Sequence, residues 1–379
     1  MKKFFKVVGV IVFLLLIVLV ITLRIRYGGG SYYQDLSTEP LFPSSALEIA
    51  ATYHEPFGNL AVSANGRLFF TIHPESRPET NKVMEWVNNK AIPYPNTEMQ
   101  SSHFNTVLGM FIDNQNRLWT VDHGNHGLEE VRVSAFDLTT NQLVHDYVFP
   151  PEVAEKGSFF NDLQVSADGK RVYVADVSFW GKNPAIAVYD MEKGKSWRTL
   201  EGHHSVIAQD WIIQNPTKEM TFFGGLVALK PGIDGIAIDS AGEWIYYGAM
   251  THSGLYRVPT TALDNPDLSA EDLANQVEKV ADKPLSDGLS TDVQNNCYIT
   301  DVEHGAIIRA SPDGQLTTLV KDMEKIRWAD AISFGPDSMC YFVDSAIPDQ
   351  MLQSKAHIQS RGPYFIYKFK NDIAGVPGR

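Results

Sequence analysis

Cysteine and positive charge are both scarce in this chain. Its 379 residues include two cysteines, Cys297 and Cys340, which excludes a disulfide scaffold and any multi-cysteine zinc module. The two occupy equivalent points of similar runs, NCYITD and MCYFVD. Equivalent points of neighbouring repeats lie too far apart for a bridge, which needs Cα atoms within about 7 Å, so both read as buried free thiols. No cysteine follows the N-terminal apolar run, which excludes a lipoprotein anchor. Lysine and arginine number 32 against 45 aspartates and glutamates, a net charge of −13. Five of those bases (Lys2, Lys3, Lys6, Arg24, Arg26) fall in the first 26 residues, where there is no acid, so the rest of the chain carries −18. A body this acidic is repelled by phosphate backbones, and nucleic acid is excluded as a partner. Apolar residues at 44% suffice for a full core and argue against disorder.

What the N-terminus does have is a long uncharged run, Val7 to Leu23, between Lys6 and Arg24. As a helix it spans roughly 25 Å, just short of a bilayer core, and snorkelling of the flanking bases closes the gap. Arg24 and Arg26 stand where a small-x-small cleavage site would lie, so residues 1–26 read as an uncleaved anchor in the bilayer; late cleavage near Gly28–Ser31 is the alternative. The early lysines favour a cytoplasmic N-terminus and an exported body, periplasmic or extracellular. Residues 27–39 read as a flexible tether.

Six segments then share one scheme: Asn or Asp, an apolar strand, a turn and a second strand. They begin at Asn59, Asn105, Asn161, Asp234, Asp287 and Asp330, for example NDLQVSADGKRVYVAD and DGIAIDSAGEWIYYGA. Turns rich in Gly, Asn and Asp mark hairpins, and several copies add a second hairpin, such as AIAVYDMEKGKSWRTL from Ala185. Four strands per repeat predict an all-β fold, a six-bladed β-propeller of four-stranded blades over 40–370, preceded by one transmembrane helix and followed by a tail at 371–379. A β-sandwich is the rival. ALEIAATY from Ala46 and PYFIYKFK from Pro363 are candidates to close the ring. The stretch SAEDLANQVEKVAD reads as a short helix, with Ser269 as N-cap and Asp272 as capping partner.

In a propeller the first strands line the central channel, so Asn59, Asn105, Asn161, Asp234, Asp287 and Asp330 are expected to converge at one mouth. Crowded carboxylates there need a cation, a proton or hydrogen-bond donors. Oxygen donors of the Asp and Asn type suit calcium and suit zinc poorly, which makes Asn105, Asn161, Asp234, Asp287 and Asp330 candidate Ca2+ ligands. Asp or Asn at a strand entrance can equally cap a backbone N–H. Hairpin geometry returns Asp122, Asp176, Asp301 and Asp344 to the same mouth, with His123, His126, Trp180, His252, Glu303 and His304 in the loops that follow. Trp180 and Trp328 are candidates to contact a small ligand.

The runs RLWTVDHG, AFDLTTNQLV, FFNDLQVS, AIAVYDMEKGKSWR and DGIAID resemble the major royal jelly/yellow protein family, from about Glu55 to Phe369. More distantly the chain is similar to the gluconolactonase (SMP-30) superfamily. The first resemblance implies a six-bladed propeller that binds small amines or pigment precursors, or a dopachrome-type tautomerase with His252 or His304 moving the proton. The second implies calcium held by Asn161 and Asp234, with Asn105 and Glu55 as further equivalents of the lactonase ligands, in a lactone hydrolase where Asp234 or Asp287 would activate water. Binding of a small cationic or aromatic ligand is the leading expectation.

Overall fold

The computed structural model describes residues 2–379. Each repeat opens with a short strand buried on both faces, such as Val107–Ile112 or Ile233–Ile238. Such a strand must be covered on both sides by neighbouring sheets, and a ring of wedge-like sheets does this. Six antiparallel four-stranded sheets result. Blade 1 covers 57–93, blade 2 107–148, blade 3 160–199, blade 4 233–282 and blade 5 289–321. Blade 6 takes its inner three strands from 329–370 and its outermost strand, Glu48–Tyr53, from the other end of the propeller sequence. The two segments expected to close the ring therefore do so, Glu48 pairing with Lys368 and Tyr53 with Tyr364. The inner strands contact one another in sequence order, and the sixth returns to the first.

The apolar core lies between blades. Phe111 and Trp119 of blade 2 pack in one cluster with Tyr173 of blade 3 and Tyr247 of blade 4. Trp119 donates its indole N–H to Asp113 at 2.7 Å. Cys297 and Cys340 are buried free thiols.

Two expectations are corrected. The stretch after Ser269 is helical only over Ala270–Ala274, capped as expected by Ser269 accepting from Asp272 N; Glu278–Asp282 is instead the outer strand of blade 4. The presumed flexible tether is fastened along its length. Ser31 bonds to Asp210, Tyr33 packs on Trp211 at 5.0 Å, and Thr38 and Leu41 bond to the edge strand at Thr318. The tail is not free either: Phe334 N donates to Arg379 O, and the Arg379 guanidinium reaches Asp239 O at 2.9 Å and Asn114 Oδ1 at 3.0 Å, closing the channel at the end opposite the mouth.

The N-terminal helix, Lys2–Tyr27, is long and apolar enough to cross a membrane. Residues 3–22 are exposed along their whole length, and only the C-terminal end meets the propeller.

Candidate functional site

Backbone irregularity positions the site. In five inner strands the pairing register slips at the same place, between Phe57/Leu60, Val107/Met110, Phe160/Leu163, Ile233/Ile236 and Ala329/Ile332. Two residues there oppose one on the second strand, a β-bulge that bends the strand and re-aims its side chains. The first bulge position holds Gly58, Leu108, Asn161, Asp234 and Asp330, and Asp287 takes the equivalent place ahead of Leu289 in blade 5. The second position holds Asn59, Gly109, Asp162, Gly235, Gly288 and Ala331. Glycine at this second position has a steric cause: a Cβ on Gly235 would stand 2.5 Å from Asp287 O, and one on Gly288 2.5 Å from Asp330 O. The Asp-Gly pair of the repeat thus sends its acid into the channel and lets the next blade's backbone close in behind it.

Five first-position residues, Leu108, Asn161, Asp234, Asp287 and Asp330, form the floor of a cavity of about 260 Å³ at the mouth. Its walls are mainly apolar, among them Phe159, Trp180, Phe222, Met250, Trp328 and Ile347, and among the described residues no lysine or arginine lines it. Asn161 Nδ2 donates to Asp234 Oδ1. Trp328, fully buried, donates its indole N–H to Asp287 Oδ2 at 2.6 Å. Below this layer, Asn59 and Asp162 share a narrower pocket, joined by Asn59 Nδ2 to Asp162 Oδ1 at 2.8 Å.

Four buried carboxyls in so small a volume cannot all be charged without a partner. Burial, reinforced by Asp287, raises Asp234 and Asp330 well above the ordinary carboxyl range. Burial pushes Asp162 up to about 8. Asp287 is pushed up to about 6, burial outweighing the Trp328 donor. Behind the ring lies Lys283, fully buried, its Nζ bonded to Ser286 Oγ at 2.8 Å and its pKa brought down to about 7 by burial.

The expected mouth residues divide sharply. Asn161, Asp234, Asp287, Asp330, Trp180 and Trp328 come together. Asn105 does not: it is exposed, three residues upstream of the bulge position that Leu108 fills, and its amide bonds to Glu129 at 2.7 Å. Asn59 belongs to the lower layer, and Glu55 sits beside His54 at 3.8 Å without lining the cavity. Asp122, Asp176 and Asp344 are buried staples rather than ligand contacts. Each accepts from backbone N–H groups entering its own blade: Asp122 from Asn105 and Thr106, Asp176 from Phe159, Asp344 from Arg327 and Trp328. Arg198 and Arg327 neutralise the last two, at 2.6 and 2.9 Å. Asp301 binds its own loop through Glu303 N and His304 N, with Glu303 buried beside it. His304 is occupied by Asp301 at 2.9 Å and by Asp35, within the segment 27–39, at 3.6 Å. These three, Asp35, Asp301 and His304, have ligand atoms within 4.8 Å of one another, but lie apart from the cavity lining. His252 is buried, accepts from Gly254 N and does not line the cavity, so neither histidine expected to move a proton reaches it. His123 lies one layer back, packed on Phe159 at 4.3 Å. The lining histidines are His73 and His126, the latter 3.5 Å from Glu75.

Sequence reasoning missed Asp162, Lys283, His73 and Glu75. Asp162 was discoverable from the NDL triplet, since two adjacent polar residues at the head of a fully buried strand require a bulge. Lys283 and the first-blade pair follow no repeat and carry no such signal.

The fold and floor define a six-bladed propeller with a buried acidic ring under an apolar mouth. A sequence model of the family described as Major royal jelly protein matches residues 105–336, and the chain belongs to that family. It is 26% identical over 189 residues to Protein yellow of Drosophila erecta, covering 44% of this chain and 32% of that protein, so it spans about a third of that relative's length. Among solved structures it is similar to the calcium-binding protein regucalcin from Agrobacterium tumefaciens, with TM-score 0.53, 13% identity, and coverage of 89% and 97% of the two chains. A gluconolactonase from Xanthomonas campestris superposes with TM-score 0.51 at 12% identity over 86% and 88%. At these identities the structural likeness establishes the propeller architecture.

Proposed function

We propose that this protein is a membrane-anchored, extracytoplasmic propeller that binds a small ligand with a cationic group and an aromatic or apolar body. The observation that carries the reading is the cavity floor: Asn161, Asp234, Asp287 and Asp330 beneath apolar walls, with no basic side chain other than histidine in the lining. An entering cation supplies the partner that lets these crowded, desolvated carboxyls ionise, so the floor favours positive charge, and Trp180, Phe222 and Trp328 offer faces for the ligand body. Anchoring rests on the helix Lys2–Tyr27 and an exported body on the bases Lys2, Lys3 and Lys6. The test is titration of the full chain in detergent with tyramine and with neutral 4-ethylphenol, followed by tryptophan fluorescence. The amine binds at least about tenfold tighter, and Asp234→Asn and Asp330→Asn each remove most of that preference. Equal affinity for the two compounds, unaffected by either substitution, overturns the proposal.

A second reading, a calcium-dependent lactonase, is favoured by the contact between Asn161 and Asp234 on adjacent inner strands. The donor chemistry fits calcium, being all hard oxygen, with Asn161, Asp234, Asp287 and Asp330 to hold it; Gly58 and Leu108 leave two of the six places without a donor. Bound there, calcium would supply Lewis-acid polarisation of a carbonyl. In this reading Asp287, which accepts the Trp328 indole N–H, would take the proton from water. Aldonolactone hydrolysis that chelator and Asp234→Ala both abolish supports this reading; turnover indifferent to both refutes it.

A further inference from the structure

The membrane helix and the cavity mouth meet at the same loops. Arg24 Nη1 donates to Gly225 O at 2.8 Å and Arg26 Nη2 to Gly181 O at 3.1 Å. Tyr27 donates to Trp180 O at 2.9 Å and packs against the rings of Phe179 and Trp180 at 5.9 and 5.7 Å. Lys230 Nζ holds Gly28 O at 2.9 Å. The acceptors of Arg24, Arg26 and Tyr27 belong to the loop around 178–182 and to the hairpin of Thr221–Phe222 with Val227–Ala228. Those segments supply Phe179, Trp180, Phe222, Phe223 and Val227 to the cavity wall.

The rim is also unusually apolar on its outer side. Phe223 is 70% exposed, Leu352 across the mouth 58% and Trp180 48%, although all three line the cavity. Phe223 sits at the hairpin tip with φ +53°, a left-handed backbone that a bulky residue adopts only where the surroundings hold it. Around this rim stand Arg24, Arg26, Lys182 and Lys218, the last with Nζ 5.0 Å from the centre of the Phe222 ring. Basic side chains gathered on one edge of a strongly acidic body suit anionic headgroups.

From these contacts we infer that the cavity mouth is seated on the bilayer surface, with Phe223, Trp180 and Leu352 in the headgroup layer, so that the site opens toward lipid rather than bulk water. The inference rests on the anchoring proposed above. The apolar run ends at Leu23, and Tyr27, four helical residues later, already touches the rim, a separation of about 6 Å along the axis. Aromatic side chains at that depth occupy the interface they favour. The opposite end, with turns such as that at Asn65, faces away.

The test uses the full chain in vesicles of phosphatidylcholine and phosphatidylglycerol, without doxyl lipid, with headgroup-region doxyl lipid to read positions 223, 352 and 65, and with doxyl deep in the acyl chain to read position 17. Since Cys297 and Cys340 are both buried, single introduced cysteines at Phe223→Cys, Leu352→Cys, Asn65→Cys and Ile17→Cys take an environment-sensitive thiol dye selectively. Positions 223 and 352 are quenched several-fold more than position 65, and position 17 reports insertion of the helix. Quenching at 17 with 223 and 352 no different from 65 overturns the seating and leaves the anchor standing. No quenching at 17 overturns the anchor and the seating together. Amine binding in detergent is read separately and depends on neither result.

Discussion

Replacing Asp162 by asparagine isolates the cost of keeping a charge beneath the mouth. Burial pushes this carboxyl from 3.8 up to about 8, with the charge of Asp287 adding to the shift and the Asn59 amide opposing it. A carboxyl raised by folding contributes stability that is fully present below its unfolded value and lost as pH rises through its folded value. At about 1.4 kcal/mol per pKa unit, the wild type loses on the order of 4 kcal/mol through this group between about pH 5 and about pH 8.5. Asp162→Asn retains an oxygen acceptor for Asn59 Nδ2, which lies 2.8 Å away in the wild type, and abolishes the titration. Thermal melts of chelator-treated wild type and variant at the two pH values give a double difference from which the other titrating groups largely cancel. The variant escapes a decline of about 6 °C in Tm, for a propeller of this size, that the wild type suffers. If both proteins lose the same Tm between the two conditions, the carboxyl does not carry the burden of a desolvated charge and the account of the channel fails.

Arg198→Ala strands the buried carboxylate of Asp176, which Arg198 approaches at 2.6 Å, and costs about 3–5 kcal/mol in chemical denaturation; a loss below 1 kcal/mol would contradict the staple role. Gly235→Ala sets a methyl 2.5 Å from Asp287 O, so stability falls by about 1–3 kcal/mol and tyramine affinity falls with it; an unperturbed titration curve refutes the close-approach argument. Trp328→Phe removes the donor that opposes burial at Asp287, so the pH midpoint of amine binding moves above its wild-type position, and an unchanged midpoint separates Asp287 from the binding step.

Much of the fold was legible because repetition is a chemical regularity. Six copies of a polar head, an apolar run and a Gly/Asn/Asp turn impose hairpins wherever they fall, and the closing pair of strands followed from the two leftover strand-like runs. Half of the site was legible for the same reason: Asn161, Asp234, Asp287 and Asp330 each begin a copy, and each enters the floor. The repeat misled at Asn105, where an asparagine precedes a strand whose bulge lies three residues further on. It misled again at Asp122, Asp176 and Asp344, because an acid at a strand end serves a backbone N–H as readily as a ligand. Their arginine and backbone partners lie up to 22 residues away in sequence, beyond what local pattern reveals.

The amino-acid order by itself determined the architecture, the apolar helix and the acidity of the inner strands, since these depend on periodicity and composition, which are local properties. Only the tertiary structure decided which acids share the floor, that Lys283 lies behind them, and that an irregular insertion and the end of the N-terminal helix form one wall of the mouth. Those outcomes depend on one-residue bulges and on contacts between segments about 150 to 200 residues apart, where the energy resides in packing that no short stretch of sequence encodes.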